Sequence, residues 1–295
     1  MNAAERGIVM LCSRLGDSSS QPLSHRQFHG LHLRLRDTAP TDGNSSLSEN
    51  FLRGLGLPGK TSRQIMHLIS REAALDSYLL AAERCGVGVI TRLDTRYPRI
   101  LEQRLQLLAP PVLFCKGDLA LLNGPFVSLV GSRKLREEGR NLAERVGRLA
   151  AEEGYVLVSG GASGADSAAQ AACLERGGSV IVFTPGELSG VSVPEGSLYC
   201  SEEGFALEFS PARALNRNRL IHAMGEMTIV AQCDHEHGGT WKGSLENLRN
   251  SYSPLFVRRD DSEGVAGLLR NGALELGELH SLHSLCDPQL FFSQE

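Results

Sequence analysis

Aromatic residues make up only 5% of this 295-residue chain, and Trp241 is its single tryptophan. That scarcity, set against 32 glycines, argues against an all-β sandwich and for an α/β protein with many tight backbone turns. Positive charge is not in excess either. The formal net charge is -4, so any nucleic-acid site has to be a local basic patch within an acidic whole. No CxxC pair occurs among the seven cysteines (Cys12, Cys85, Cys115, Cys173, Cys200, Cys233, Cys286), which are odd in number and widely scattered. Such a set reads as buried thiols in a reducing compartment. Long apolar runs are missing too: the opening MNAAERGIVMLCSRLGDSSS falls short of a signal-peptide core or a membrane span. The expectation is a soluble, cytoplasmic protein with no membrane partner, built as one large domain with a smaller appendage.

What is present changes character along the chain. Asp17 to Ser48 is rich in Ser, Gly, Asp and Pro, with His25, His29, His32, Arg34 and Arg36 among them, and its weak periodicity predicts a loosely ordered arm over residues 1–60. Ile65, Leu68, Ile69, Ala73, Leu75, Tyr78, Leu79 and Ala82 then recur at helical spacing, giving a helical region over 61–109. Pro110-Pro111 marks the expected boundary. Beyond it, apolar runs alternate with helical patterns in the manner of a parallel sheet, with strands expected at Phe126–Val130, Tyr155–Ser159, Ser179–Phe183, Phe205–Phe209, Met227–Ala231 and Pro254–Val257. The fold class is therefore α/β, a Rossmann-like, doubly wound and mostly parallel sheet over 110–275 with a smaller helical N-terminal region, followed by a tail over 276–295.

Small residues cluster where strands give way to helices. Gly131-Ser132-Arg133 follows the first expected parallel strand, Ser159-Gly160-Gly161-Ala162-Ser163-Gly164-Ala165-Asp166 the second, and Thr184-Pro185-Gly186 the third. Ligands of doubly wound folds sit at those carboxyl ends, where glycine lets backbone approach a phosphate and helix N-termini offer N–H donors. Arg133 adds a cation suited to bidentate phosphate pairing. A second cluster, Asn216-Arg217-Asn218-Arg219, suits phosphate binding or simply the capping and solvation of a helix. The third, Cys233 to Ser244, holds Cys233, His235 and His237, whose spacing is not that of a structural zinc site. Its Gly239, Lys242 and Ser244 suit another phosphate-facing loop, and Trp241 either stacks a base or packs.

These residues carry a resemblance. The stretch VSLVGSRKLREEGRNLAERVGRLAAEEGYVLVSGGASGADSAAQAACLERGGSVIVF, with DTRYPRILEQRLQLLAPPVLFCKGDLALL before it and NRNRLI after it, resembles the DNA-processing protein A family (DprA, also called Smf) over about residues 90–260. The resemblance implies a Rossmann-like domain that binds single-stranded DNA, works as a homodimer and assists a RecA-type recombinase onto that strand; it implies no cofactor, no metal and no catalytic residue. Matched onto this chain, Gly131, Ser132 and Arg133 are the first phosphate loop. Ser159, Gly160, Ala162, Gly164 and Asp166 are the second, and Asn218 and Arg219 belong to the third, with Arg217 beside them. Asp166 is expected to cap N–H groups and orient an Arg rather than meet phosphate. Ser163 stands where the family often has Arg, and the later turns read TPGELSGVSVPEG and HGGTWKGSLE.

Two other readings stay open at this point. A related Rossmann group, the LOG-like nucleoside-monophosphate phosphoribohydrolases, uses a PGGxGTxxE motif; here Glu246 stands one position early, and one helical step turns a carboxylate by roughly 100°. A nucleotide-sensing module of the same superfamily is the other.

Overall fold

The computed structural model describes residues 1–37 and 47–286. The first third is helical. Helices α1 (Ala3–Cys12), α2 (His25–Asp37) and α3 (Glu49–Gly54) stand where a loosely ordered arm was expected over 1–60, and α4 (Gly59–Ile69) and α5 (Glu72–Arg84) stand where the helical spacing placed them. Polar residues that hid the periodicity act as helix starts: Asn2 makes a capping box with Glu5 and Ser48 caps the N-terminus of α3, while Ile8, Val9, Phe28, Leu31 and Leu52 bury a shared core. The expected residues 38–46 of that arm lie outside the described ones. Strand β1 (Val87–Thr91), α6 (Arg99–Leu105) and β2 (Val112–Gly117) follow. Val87, Val112 and Phe114 continue the core of the N-terminal helices, so the helical region is seated on the edge of the sheet.

From Phe126 onward, strand and helix alternate except between β5 and β6: β3 (Phe126–Val130), α7 (Glu137–Glu152), β4 (Val156–Ser159), α8 (Ala165–Leu174), β5 (Ser179–Phe183), β6 (Ser197–Ser201), α9 (Pro211–Met224), β7 (Met227–Val230), α10 (Gly238–Asn250), β8 (Leu255–Arg258), α11 (Glu263–Arg270) and β9 (Leu274–Leu276). One nine-stranded sheet results, in the order β1-β2-β6-β5-β4-β3-β7-β8-β9. From β6 to β9 every pairing is parallel, and β1 and β2 close the far edge antiparallel. Strand side chains alternate between faces. Val127, Leu129, Leu157 and Val182 meet α7 and α8 on one face, while Val130, Val158 and Ile181 meet α6, α9, α10 and α11 on the other. Each large apolar side chain so buried contributes about 1.5–3 kcal/mol.

The sixth strand corrects an expectation. Phe205–Phe209 is irregular and Ser197–Ser201 is the strand. Phe205 is apolar for another reason, since its ring packs 4.7 Å from Tyr78 and 6.2 Å from Phe114, whereas Phe209 is 57% exposed. SLYCS has the alternation that a strand needs, with Leu198 and Cys200 facing one core and Tyr199 the other. The described part of the expected tail, residues 276–286, also folds back, and residues 287–295 lie outside the described ones. Leu279 and Leu282 are buried, and the Glu153 carboxylate accepts the N–H groups of Leu282 and His283, each at 3.0 Å.

Candidate nucleic-acid interface

Of the parallel strands, the chain lays down β3 first, places β4, β5 and β6 on one side of it, then crosses to place β7, β8 and β9 on the other. The loops after β3 and β7 therefore leave the sheet in opposite directions, opening a crevice at the carboxyl edge where ligands of doubly wound folds bind. Gly131 lies at its floor. A Cβ there would come within 2.5 Å of Ala165 Cβ and 3.2 Å of Ala231 Cβ, so glycine is required to let the start of α8 and the end of β7 close around the turn. Ser132 donates its N–H to the Gln232 carbonyl at 3.0 Å and accepts the Ala165 N–H on its own carbonyl at 3.2 Å. The Gln232 side chain braces the rest, accepting the Arg136 N–H at 2.8 Å and donating to the Lys134 carbonyl at 3.0 Å. Arg133, Lys134 and Arg136 project from this rigid turn, are exposed, and have no ion pair among the described residues.

The second loop nests against the first. Gly164 has φ +85°, a left-handed conformation that favours glycine, and a Cβ there would lie 2.5 Å from the Ser132 and Arg133 carbonyl oxygens. Asp166 fixes the loop from within: one carboxylate oxygen accepts the N–H groups of Gly160 at 3.1 Å and Ala162 at 3.0 Å. Burial raises the Asp166 pKa, a shift opposed by those two hydrogen bonds and by Arg217. Ser159 is fully buried and its hydroxyl accepts from Gln170 at 2.5 Å; Ala162 is half-buried and Ser163 exposed. Arg217 lies under Gly160, where a Cβ would come within 2.8 Å of the guanidinium carbon. It donates to the Phe183 carbonyl at 2.6 Å, and burial pushes its pKa down to about 10.

The other candidate residues divide. Asn218 donates to the Gly239 carbonyl at 3.1 Å, tying α9 to the start of α10, and Lys242 is exposed on α10. Arg219 is not presented to solvent: it pairs with Glu202 (Nη1–Oε1 3.0 Å), the two side chains being 9% and 7% exposed, and His25 of α2 lies 3.3 Å from its other terminal nitrogen. Trp241 is buried, edge-on to His235 with ring centroids 4.9 Å apart and against Gly267 of α11, so its ring packs rather than offering a platform for a base. Ser244 is buried, its hydroxyl without a partner among the described residues. Cys233 and His235 diverge, the thiol toward the Asp234 carbonyl and the imidazole toward Glu263. Glu246 accepts from the Tyr252 hydroxyl at 3.4 Å. Residues 131–133, 159–164, 166 and 217 thus form one constellation, to which sequence reasoning did not add Gln232 and Asp234. The signal for them was available, in polar residues directly after the apolar strand MTIVA.

The model of the family described as DNA recombination-mediator protein A matches residues 88–285. Among curated proteins, the DNA processing protein DprA of Streptococcus pneumoniae is 32% identical over 194 residues, which are 61% of this chain and 68% of that protein. The protein of the same name from Bacillus subtilis is 28% identical over 214 residues, 68% of this chain and 71% of that one. The solved S. pneumoniae structure shares the fold with a TM-score of 0.72 at 24% identity, covering 94% of this chain and 95% of that one. The DNA processing protein A of Helicobacter pylori, whose structure is described for its single-stranded DNA binding mode, superposes with a TM-score of 0.56 at 24% identity, covering 70% and 96%. Among the described residues no helix is long and apolar enough to cross a membrane.

Proposed function

The chain belongs to the DNA recombination-mediator protein A family, and from that premise we propose that it binds single-stranded DNA across the carboxyl edge of its sheet. The observation that carries this reading is the braced turn after β3, which presents Arg133, Lys134 and Arg136 without ion-pair partners among the described residues, at the topological switch point of the sheet. Phosphate oxygens accept from the Arg133 guanidinium and the Ser132 hydroxyl. Gly131, Gly160, Ala162 and Gly164 keep the floor low, Ser159 and Asp166 hold its shape, and Lys242 adds an outer cation beyond the Asn218–Gly239 link. Arg217, Arg219, Trp241 and Ser244 support the site from beneath rather than touching the strand.

Such contacts read charge and backbone, not base edges, so binding is independent of sequence and weakens with salt. The relative from H. pylori, described for single-stranded DNA binding, supports this choice of ligand. As a recombination mediator the protein hands the strand to a RecA-type recombinase and acts as a homodimer; sedimentation of the purified chain and stimulation of recombinase filament growth test those two points. The binding itself is tested by fluorescence anisotropy of labelled oligo-dT in a salt series. We expect saturable binding that weakens steadily with salt. Absence of binding at low salt contradicts the proposal.

A further inference from the structure

The crevice that receives phosphate already contains an anion. Asp234, in the loop after β7, is exposed, and its carboxylate accepts the Ser132 hydroxyl proton at 3.2 Å across the switch point. The same hydroxyl oxygen accepts the Lys134 N–H at 3.3 Å. A short relay therefore runs from the Lys134 amide through Ser132 to Asp234, and the carboxylate takes the one donor that Ser132 has to give.

We propose that Asp234 is a resident carboxylate standing in the place of a phosphate, so that an incoming strand must displace it from Ser132. The inference rests on the reading of this edge as a polyanion site. Three features support it. Among the described residues Asp234 is hydrogen-bonded to the turn by that one side-chain bond, while the backbone beside it is fixed independently by the Gln232 bonds to Ser132, Lys134 and Arg136. Releasing Asp234 thus leaves the turn in its shape. The carboxylate and a phosphate oxygen are both acceptors, so the relay is satisfied before and after the exchange. Finally, no cation pairs with Asp234 among the described residues, so its full charge opposes a strand laid along the crevice. Asp234 thereby sets the affinity of the site downward and favours a ligand dense enough in charge to outcompete it.

The test is binding of oligo-dT by the full chain as wild type, Asp234→Asn, Ser132→Ala and the double variant. Asparagine keeps an acceptor for Ser132 and removes the charge. A single like charge some 5–8 Å away is expected to cost roughly two- to fivefold in affinity at low salt, so Asp234→Asn should bind that much more tightly, with the gain shrinking as salt rises. In the Ser132→Ala background part of the gain should vanish, since there is no longer a hydroxyl to liberate. Unchanged or weaker binding by Asp234→Asn, while wild type binds in a salt-dependent manner, overturns the role of Asp234 and leaves the polyanion site standing. Loss of salt-dependent binding in the wild type itself removes both.

Discussion

Two sets of arginines that look alike in the sequence have opposite fates. Arg133, with Lys134 and Arg136, stands exposed on the turn after β3; Arg217 and Arg219 lie buried in α9, one donating to the Phe183 carbonyl and the other locked to Glu202. Each set sits beside small or amide residues near the end of a strand, and each belongs to a stretch shared with the family. What separates them is the counterpart. Glu202 follows β6 directly and meets Arg219 below the surface, so that charge is neutralised inside the protein, while the β3 turn is braced by the neutral Gln232 and its charges stay outward. An arginine near a glycine loop becomes a ligand-binding group only where the fold withholds a partner from it.

The sharpest way to break this contrast is to remove one arginine of each set. Arg219→Ala leaves Glu202 buried without its cation and should destabilise the fold by about 3–5 kcal/mol, read as a lower denaturation midpoint. Asp166→Ala comes next: two loop N–H groups lose their acceptor, and a loss of roughly 2–4 kcal/mol is expected in the same assay. Gly164→Ala, which puts a side chain on a left-handed backbone beside two carbonyl oxygens, should cost about 1–3 kcal/mol and weaken oligo-dT binding, because the two loops can no longer nest. Arg133→Ala should leave stability within about 0.5 kcal/mol of wild type yet weaken oligo-dT binding roughly three- to tenfold at low salt. A buried-type loss of stability in Arg133→Ala, or wild-type stability in Arg219→Ala, would erase the distinction.

Much of this is legible in the sequence alone. The runs VSLV, VLVS and VIVF are near-continuously apolar because helices cover both faces of the parallel sheet, and their strands fall where that pattern places them. The two nested loops follow from glycines at strand ends. Three things were not legible, each for a physical reason. The first sixty residues look unstructured because their helices are short and separated by polar caps, and their core forms only against β1 and β2. Phe205 to Phe209 imitates a strand because one phenylalanine anchors an aromatic cluster. The burial of Arg219 and Trp241 depends on Glu202, His25 and Gly267, partners 17, 194 and 26 positions away whose proximity only the tertiary fold creates. Asp234, by contrast, could be suspected from its place after MTIVA, although its contact with Ser132 spans 102 positions.

The role of the β3 turn is decided by the salt dependence of oligo-dT binding, compared between wild type and Arg133→Ala. For single strands, each phosphate contact contributes about -0.7 to the slope of log affinity against log salt concentration. If the β3 turn anchors the strand, the Arg133→Ala slope is shallower by about that amount with the fold intact. Parallel plots with equal affinity would contradict the account and move the site away from this turn.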